Sequence, residues 1–482
     1  MIPHKVPPVV RLGPARLTEG LDHCRRLDLP AHRTIHGAPA PLDLESLIAQ
    51  ADLVDLRGRG GAAFPFARKL RAVAGNRSER VVLINAAEGE PASRKDAMLL
   101  VRTPHLVLDG AVLAAEALRA REIVLAVAAD SVPFASAEAA VAERRAAGVA
   151  GAEESRLRIR VIGLPERFIT GEGGALVRGV NGETPTPPGR KRRAAHEGVD
   201  GLPTLLSNAE TFAQLALLAR LGPAAYADVG TPREPGTLLL TVGGETVVEA
   251  AHGMPLSAVL DLCSPGADLG PGVLLGGYHG TWLTAAEART AVLSRAAGTP
   301  LGAGIVLPLG PDTCPLGETA RVAAYLAGQS AGQCGPCRLG LPDLARALLA
   351  LCSGEGSPEA VRRAARSVER RGACSHPDGT ARFALSALDV FATDIASHLD
   401  AGTCGRPVLG VLPLPESPAE PEYRLDVDWT RCEGHGLCAH LLPEFVDLDD
   451  FGYPAFRPVP GGMLREARRA VEMCPALALR LA

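Results

Sequence analysis

The residues whose types and spacing suit chemistry fall into six groups. Arg57-Gly58-Arg59-Gly60-Gly61-Ala62-Ala63-Phe64-Pro65 is dense in glycine. Its backbone can therefore approach a phosphate or a planar ring closely and turn its N–H groups toward an anion. Lys69 adds a positive charge a few residues on. Asn85-Ala86-Ala87-Glu88-Gly89-Glu90-Pro91 follows an apolar run. Asn85 offers both donor and acceptor to a heterocyclic edge, and Glu88 and Glu90 can face a ribose or an amide. Phe168-Ile169-Thr170-Gly171-Glu172-Gly173-Gly174-Ala175 is a second glycine-rich turn, opening a helix. Ser207 and Asn208, within the stretch 201–211, suit a helix start. Cys334-Gly335-Pro336-Cys337-Arg338 sits between two predicted helices, with Cys374 some way downstream. Last comes Cys432-Glu433-Gly434-His435-Gly436-Leu437-Cys438, then Cys474-Pro475, a spacing suited to an iron–sulfur cluster. His435 stands where the middle cysteine of such a run is usual, and three cysteines can hold the three irons of a [3Fe–4S] cluster. Taken singly, each glycine-rich or acidic stretch reads equally well as a surface loop.

These groups need elements to position them. Val81–Ile84 is a compact apolar run, followed by a helical stretch over 105–120, a strand over 122–127 and another over 157–162. Strand–helix–strand alternation predicts a parallel sheet with helices on its faces. Residues 236–290 change character: strands over 236–242, 246–249 and 273–275 surround a helix over 256–262, a small α+β module. Four helices are predicted over 318–330, 342–352, 358–371 and 381–399, which suggests a bundle. Four prolines in 411–422 read as a linker, and a short helix is expected near 42–51.

Composition bounds the answer. A chain of 482 residues suggests about three domains. With 47% hydrophobic and 22% charged residues it is ordinary globular material and not a mainly disordered chain. The net charge of −4 argues against a nucleic-acid binder. No uninterrupted apolar stretch approaches the length of a membrane span, and the first twelve residues lack an apolar signal core. The expected location is the cytoplasm. Eleven cysteines, an odd number, point to metal or redox work and not to a disulfide scaffold. The cysteines outside the two motifs, Cys24, Cys263, Cys314, Cys352 and Cys404, are expected to be small buried residues. Trp282 and Trp429 are expected to pack. Only four lysines stand against forty-six arginines, which makes Lys69 and Lys95, both inside these motifs, worth following.

The first four motifs, in this order and spacing, resemble the flavin- and NADH-binding (51 kDa-type) subunit of respiratory complex I and related diaphorases, over about residues 50–400. The last stretch resembles small actinobacterial ferredoxins, some of which feed cytochromes P450. The resemblance implies a multidomain α/β and α+β chain. Its parts are an N-terminal lead-in (1–50), a Rossmann-like FMN/NAD-binding domain (51–235), a ubiquitin-like (SLBB) module (236–300), a helical iron–sulfur bundle (310–402), a linker (403–422) and a ferredoxin domain (423–482). It also implies that Gly58, Gly60, Gly61, Lys69, Asn85, Glu88, Gly171, Glu172, Ser207 and Asn208 lie on the flavin side, and Phe64, Glu90 and Phe168 on the NADH side. Phe168 replaces the family's usual tyrosine, Ala87 an acidic residue and Gly173 a glutamate. Arg190-Lys191-Arg192-Arg193 replaces a segment ending in two prolines and a phenylalanine, a basic run able to accept a 2′-phosphate. In the bundle, Cys334, Cys337 and Cys374 match three of four [4Fe–4S] ligands, and Ala331 stands at the fourth. That leaves a cluster with an outside ligand, a [3Fe–4S] cluster, or none. Cys432, Cys438 and Cys474 would hold a [3Fe–4S] or [4Fe–4S] cluster, with His435 a further candidate ligand.

A hydride carries two electrons and a cluster takes one at a time; a flavin accepts the first and releases singly. The expected function is therefore an NAD(P)H-oxidising flavoprotein oxidoreductase that passes electrons through FMN to its own ferredoxin and an external acceptor such as a cytochrome P450. No acid–base residue is required. A thioredoxin-like [2Fe–2S] subunit is a possible partner. The alternatives are an electron-transfer module whose dinucleotide site has decayed, a complex subunit without flavin, or ferredoxin-driven NAD+ reduction.

Overall fold

The computed structural model describes residues 6–149, 157–189, 193–415, 423–460 and 463–481, in two compact units, 3–414 and 415–482. The basic residues 190–192 lie outside the described residues.

In the larger unit, strands Val81–Ala86, Glu122–Ala128, Arg158–Leu164 and Thr204–Asn208 form a wholly parallel sheet. Val81, Val82, Leu83 and Ile84 are all fully buried. A continuous apolar run is what a parallel strand covered on both faces requires. Helices Pro104–Leu118 and Ala209–Ala227 contribute Leu108, Val112, Phe212 and Leu215 to the core over one face. Helix Gly173–Val180 brings Leu176 and Val177 against Leu83 and Val124 on the other. A side chain at Gly110 would strike the backbone carbonyl of Phe212, so glycine there sets how closely the first two helices pack.

The sheet order is 158–164, 122–128, 81–86, 204–208. From strand 81–86 the chain leaves toward strand 122–128 on one side, and strand 204–208 joins on the other. The chain thus diverges at the carboxyl ends of strands 81–86 and 204–208, where α/β sheets open a crevice for ligands.

A second, mixed sheet has six strands, in the order Val9–Leu12, Thr246–Ala251, Thr237–Val242, Ile305–Pro308, Val273–Leu275, Thr281–Leu283. The first of these lies in the segment expected to be a plain lead-in. It pairs in parallel with 246–251. The buried Glu249 holds the chain just beyond it, accepting hydrogen bonds from the amides of Leu17 (2.8 Å) and Thr18 (3.1 Å).

The helical region has five helices where the sequence predicts four: Pro315–Gly328, Leu341–Cys352, Pro358–Val368, His376–Val390 and Ala392–Ala401. The last two are split at the non-helical Phe391, whose buried ring packs edge-on against Trp282 at 4.9 Å. The linker is also shorter than expected. Residues 403–414 lie on the helices, with Leu412 fully buried. The carboxylate of the fully buried Glu318 accepts from the amides of Gly410 (2.6 Å) and Val411 (3.2 Å).

The smaller unit has two antiparallel strand pairs, Leu425–Val427 with Leu479–Leu481 and Val446–Leu448 with Pro454–Phe456. Helices Leu437–Leu441 and Leu464–Glu472 close a small core of Leu442, Val446, Val459 and Ala467. Trp429, expected to pack, is 61% exposed. Among the described residues no single helix is long and apolar enough to cross a membrane.

Candidate functional site

The point of divergence in the parallel sheet gathers residues from all four N-terminal motifs. Asn85 and Asn208 are register partners on adjacent strands, as are Ile84 and Ser207. The glycine loop 57–65 closes as a tight turn, with the Gly58 amide donating to the Phe64 carbonyl at 3.0 Å. Gly61 adopts a left-handed φ of 95°, open to glycine at no steric cost. Two bonds seat this loop: the Arg59 amide donates to Thr211 Oγ1 (3.0 Å) and Lys95 Nζ to the Arg59 carbonyl (2.9 Å). Gly60 faces the Asn208 side chain.

Lys69, on helix Phe66–Ala74, reaches the carbonyl of Leu206 at 2.9 Å. Among the described residues no carboxylate pairs with it. Burial alone lowers its pKa to about 8. The buried Ser207 Oγ and Thr170 Oγ1 also lack hydrogen-bond partners. An unneutralised ammonium and two unsatisfied hydroxyls around a glycine-lined strand end suit an anionic, hydrogen-bonding ligand, and FMN has that chemistry.

Several predicted site residues carry structural duties. Glu88 accepts from the amides of Asp96 (3.1 Å) and Ala97 (2.9 Å) and from Ser93 Oγ, capping helix Lys95–Arg102. Glu172 caps helix Gly173–Val180 through the amides of Gly174 and Ala175, both at 2.9 Å. Asn208 caps helix Ala209–Ala227 through the Glu210 amide at 3.0 Å. Asn85 ties two loops, its Nδ2 donating to the Gly171 carbonyl (2.9 Å) and its Oδ1 accepting from the Ala87 amide (3.2 Å). A Cβ at Gly89 would collide with the Arg167 carbonyl, so the acidic loop lies directly on the chain leading to Phe168.

Sequence reasoning missed the buried charges beneath. Lys95 Nζ lies 2.7 Å from Glu210 Oε2 and 3.8 Å from Asp96 Oδ1. Burial and the neighbouring Glu88 and Glu210 raise the Asp96 pKa against the pull of Lys95. No short motif links these positions, which are visible in the sequence only as a lysine near an acidic loop.

The three NADH-side candidates separate. Phe64 is 44% exposed, with Arg68 5.5 Å over its ring. Phe168 packs edge-on against His279 (4.7 Å) and lies 6.3 Å from Tyr325. Glu90 is half-buried beside the same aromatic group. Its Oε2 accepts from the Tyr278 amide at 3.2 Å, its Oε1 has no partner, and burial raises its pKa to about 8. Burial thus favours its neutral form.

Cys334, Cys337 and Cys374 converge. The three thiols lie close enough to act on one another electrostatically, and the Ala331 amide lies beside Cys337. The turn Pro336–Gly340 is a π-helix, a form common at functional sites. Ala331 thus adjoins the three thiols and offers a methyl group where a fourth would stand. In the smaller unit, Cys432, His435, Cys438 and Cys474 line one cavity. His435 Nε2 lies 3.8 Å from Glu433.

Three known family models match successive parts of the chain. Residues 51–217 match the model of the Nuo51 FMN-binding domain, 318–398 that of the NADH-ubiquinone oxidoreductase-F iron–sulfur binding region, and 425–481 that of a 4Fe-4S single cluster domain. The chain is a relative of the F subunits of NADH-quinone oxidoreductases, with a single-cluster domain at its end. The F subunit of the Mycobacterium tuberculosis NADH-quinone oxidoreductase is 27% identical over 394 residues, covering 76% of this chain and 86% of that protein. That of Streptomyces coelicolor is 27% identical over 385 residues, covering 76% and 85%. The crystal structure of an NAD+-reducing [NiFe]-hydrogenase in the air-oxidised state superposes with a TM-score of 0.72 at 25% identity, covering 85% of this chain and 73% of that one. The chain is thus a mixed α/β multidomain protein, similar to the F subunits, with regions that match FMN-binding and 4Fe-4S models.

Proposed function

We propose that the protein oxidises NAD(P)H and passes the electrons through FMN and its own ferredoxin domain to an external acceptor, such as a cytochrome P450 or another redox enzyme. The observation that carries this is the meeting, at one sheet crevice, of the glycine loop with the unneutralised Lys69 and the unsatisfied Ser207 and Thr170. We assign residues 51–235 to a Rossmann-like FMN domain, 236–300 to an SLBB-like module, 310–402 to the iron–sulfur bundle and 423–482 to a ferredoxin fold.

FMN, when bound, accepts a hydride and releases electrons one at a time. The chain's own residues position it. Lys69 supplies a fixed positive charge in a low-dielectric setting, and Ser207 and Thr170 supply short, already desolvated donors. Asn85, Glu88, Glu172 and Asn208 hold the strand ends, loops and helix starts that shape the crevice. Glu90, whose neutral form burial favours, can in that form donate a hydrogen bond to a carboxamide without repelling the dinucleotide's phosphates. Cys432, Cys438 and Cys474, with His435 at the same cavity, provide the ferredoxin cluster site; Cys334, Cys337 and Cys374 provide a three-thiolate site. A thioredoxin-like [2Fe–2S] subunit is one candidate partner, and the cytoplasm the expected location.

A second reading, an electron-transfer module whose dinucleotide site has decayed, is favoured by Ala87 and Gly173 and by the engagement of Phe168 with His279. Anaerobic mixing with NADH and with NADPH separates the two. Bleaching of bound flavin by either supports the dehydrogenase, and bleaching by neither refutes it. Cys438→Ala should remove the ferredoxin's paramagnetic signal and leave flavin bleaching intact.

A further inference from the structure

Three cysteines expected to be isolated packing residues are brought together. Cys314 caps the start of helix 315–328, Cys352 ends helix 341–352, and Cys404 follows the last helix, which carries His398. The Sγ atoms of Cys314 and Cys352 and a ring nitrogen of His398 all lie within 4.8 Å of one another. Cys314 Sγ is 3.3 Å from His398 Nε2. Cys404 is close enough to Cys314 for the two thiols to interact, but it lies outside the 4.8 Å grouping of the other three. Cys314 and His398 are buried, and Cys352 and Cys404 partly so.

We propose that Cys314, Cys352, His398 and Cys404 form a structural zinc site. Around Zn2+, with Zn–S near ~2.3 Å and Zn–N near ~2.0–2.1 Å, neighbouring tetrahedral ligand atoms stand about 3.5–3.8 Å apart. The spacings among Cys314, Cys352 and His398 need only small adjustments to reach that, and Cys404 must move in to complete the four. Three thiolates and an imidazole fill four positions and leave none open, the composition of a structural site. The Gly317 amide donates to Cys314 Sγ at 3.3 Å, and the sulfur sits at a helix N-terminus. The grouping is too tight for the ligands of a multi-iron cluster, which stand farther apart than those of a single ion.

The site is separate from the Cys334–Cys337–Cys374 group. Helices 315–328 and 341–352 form a hairpin. Cys334 and Cys337 lie in its connecting turn, whereas Cys314 and Cys352 lie at its open end. Fourteen helical residues span about 21 Å. An ion at the open end joins the first, second and fifth helices to the segment 403–414, adding to the contacts that Glu318, Thr313, Asp394 and the Cys314 amide make with it.

The test is metal analysis of the full-length chain purified from zinc-supplied cells and washed with chelator, with iron and flavin measured alongside. About one zinc per chain is expected. The double variant Cys352→Ser/His398→Ala should lose it with iron and flavin unchanged. His398→Cys should keep it, which guards against a loss through misfolding. Cobalt in place of zinc should give the intense visible bands of tetrahedral cobalt–thiolate. Cys334→Ala/Cys337→Ala should retain the zinc. Wild-type protein with full flavin and iron but no zinc would overturn the proposal. So would zinc lost only from Cys334→Ala/Cys337→Ala, or iron instead of zinc lost from Cys352→Ser/His398→Ala.

Discussion

Replacing Lys69 by methionine should move two measurable quantities in opposite directions. In the flavin-free protein Lys69 is a largely buried cation, of intermediate exposure, whose hydrogen bond goes to the Leu206 carbonyl. Burial lowers its pKa from 10.5 to about 8. Holding the charge there costs ~3 kcal/mol, before allowance for the remaining solvent contact. Methionine keeps the apolar stem but leaves the Leu206 carbonyl unpaired, a loss of ~1 kcal/mol. Flavin-free Lys69→Met should therefore be more stable at pH 7 by ~1–2 kcal/mol, a rise of ~1–3 °C in Tm. The flavin complex should suffer, because a hydrogen bond to a charged group is worth ~1.5–3 kcal/mol. FMN affinity should fall ~10–100-fold. The pH dependence has a definite sign. Between pH 8 and 10.5 the unfolded wild type binds more protons than the folded form, so wild-type stability should climb across that window. The variant should lack this climb. The assays are scanning calorimetry of flavin-free protein and FMN titration by fluorescence quenching. Unchanged FMN affinity would refute Lys69 as a flavin ligand. A less stable flavin-free variant would refute the unpaired buried charge.

Three further outcomes are expected. Glu90→Gln should be more stable than wild type above pH 8 and close to it near pH 5, because the folded pKa of about 8 against the usual 4.5 makes wild-type stability fall as pH rises between them; melts at pH 6 and pH 9 that shift equally would contradict this. Ala331→Cys should raise bound iron, by about one atom if the three thiols already hold a [3Fe–4S] cluster and by about four if they hold none; an unchanged iron count would mean that the missing thiol is not what limits the site. Glu318→Ala should cost ~3–5 kcal/mol, since Arg321, at 2.6 Å, loses its buried partner and three amides lose their acceptor; limited proteolysis should then cut within 403–415, and resistance equal to wild type would show that the segment is held otherwise.

Local signals in the sequence reached as far as they physically could. The apolar run at Val81–Ile84 specifies a doubly covered strand because its side chains have no polar face to give to water. The glycines of 58–61 specify a loop open to close approach because they lack Cβ. The cysteine spacing at 432–438 marks a cluster because ligands of one loop must lie near in sequence. Tertiary structure decided what depends on contacts between distant segments. Glu88 and Glu172 resemble ligand residues along the chain, yet both serve helix amides, a role set by the direction in which the following helix leaves. Val9–Leu12 becomes a strand only because Thr246–Ala251 presents an open edge. Lys69 is an ordinary lysine until the fold buries it away from any carboxylate among the described residues. Cys314, Cys352, His398 and Cys404 span ninety positions with no motif among them. Helix packing alone brings their side chains together, because the ends of antiparallel helices meet however far apart they lie in sequence.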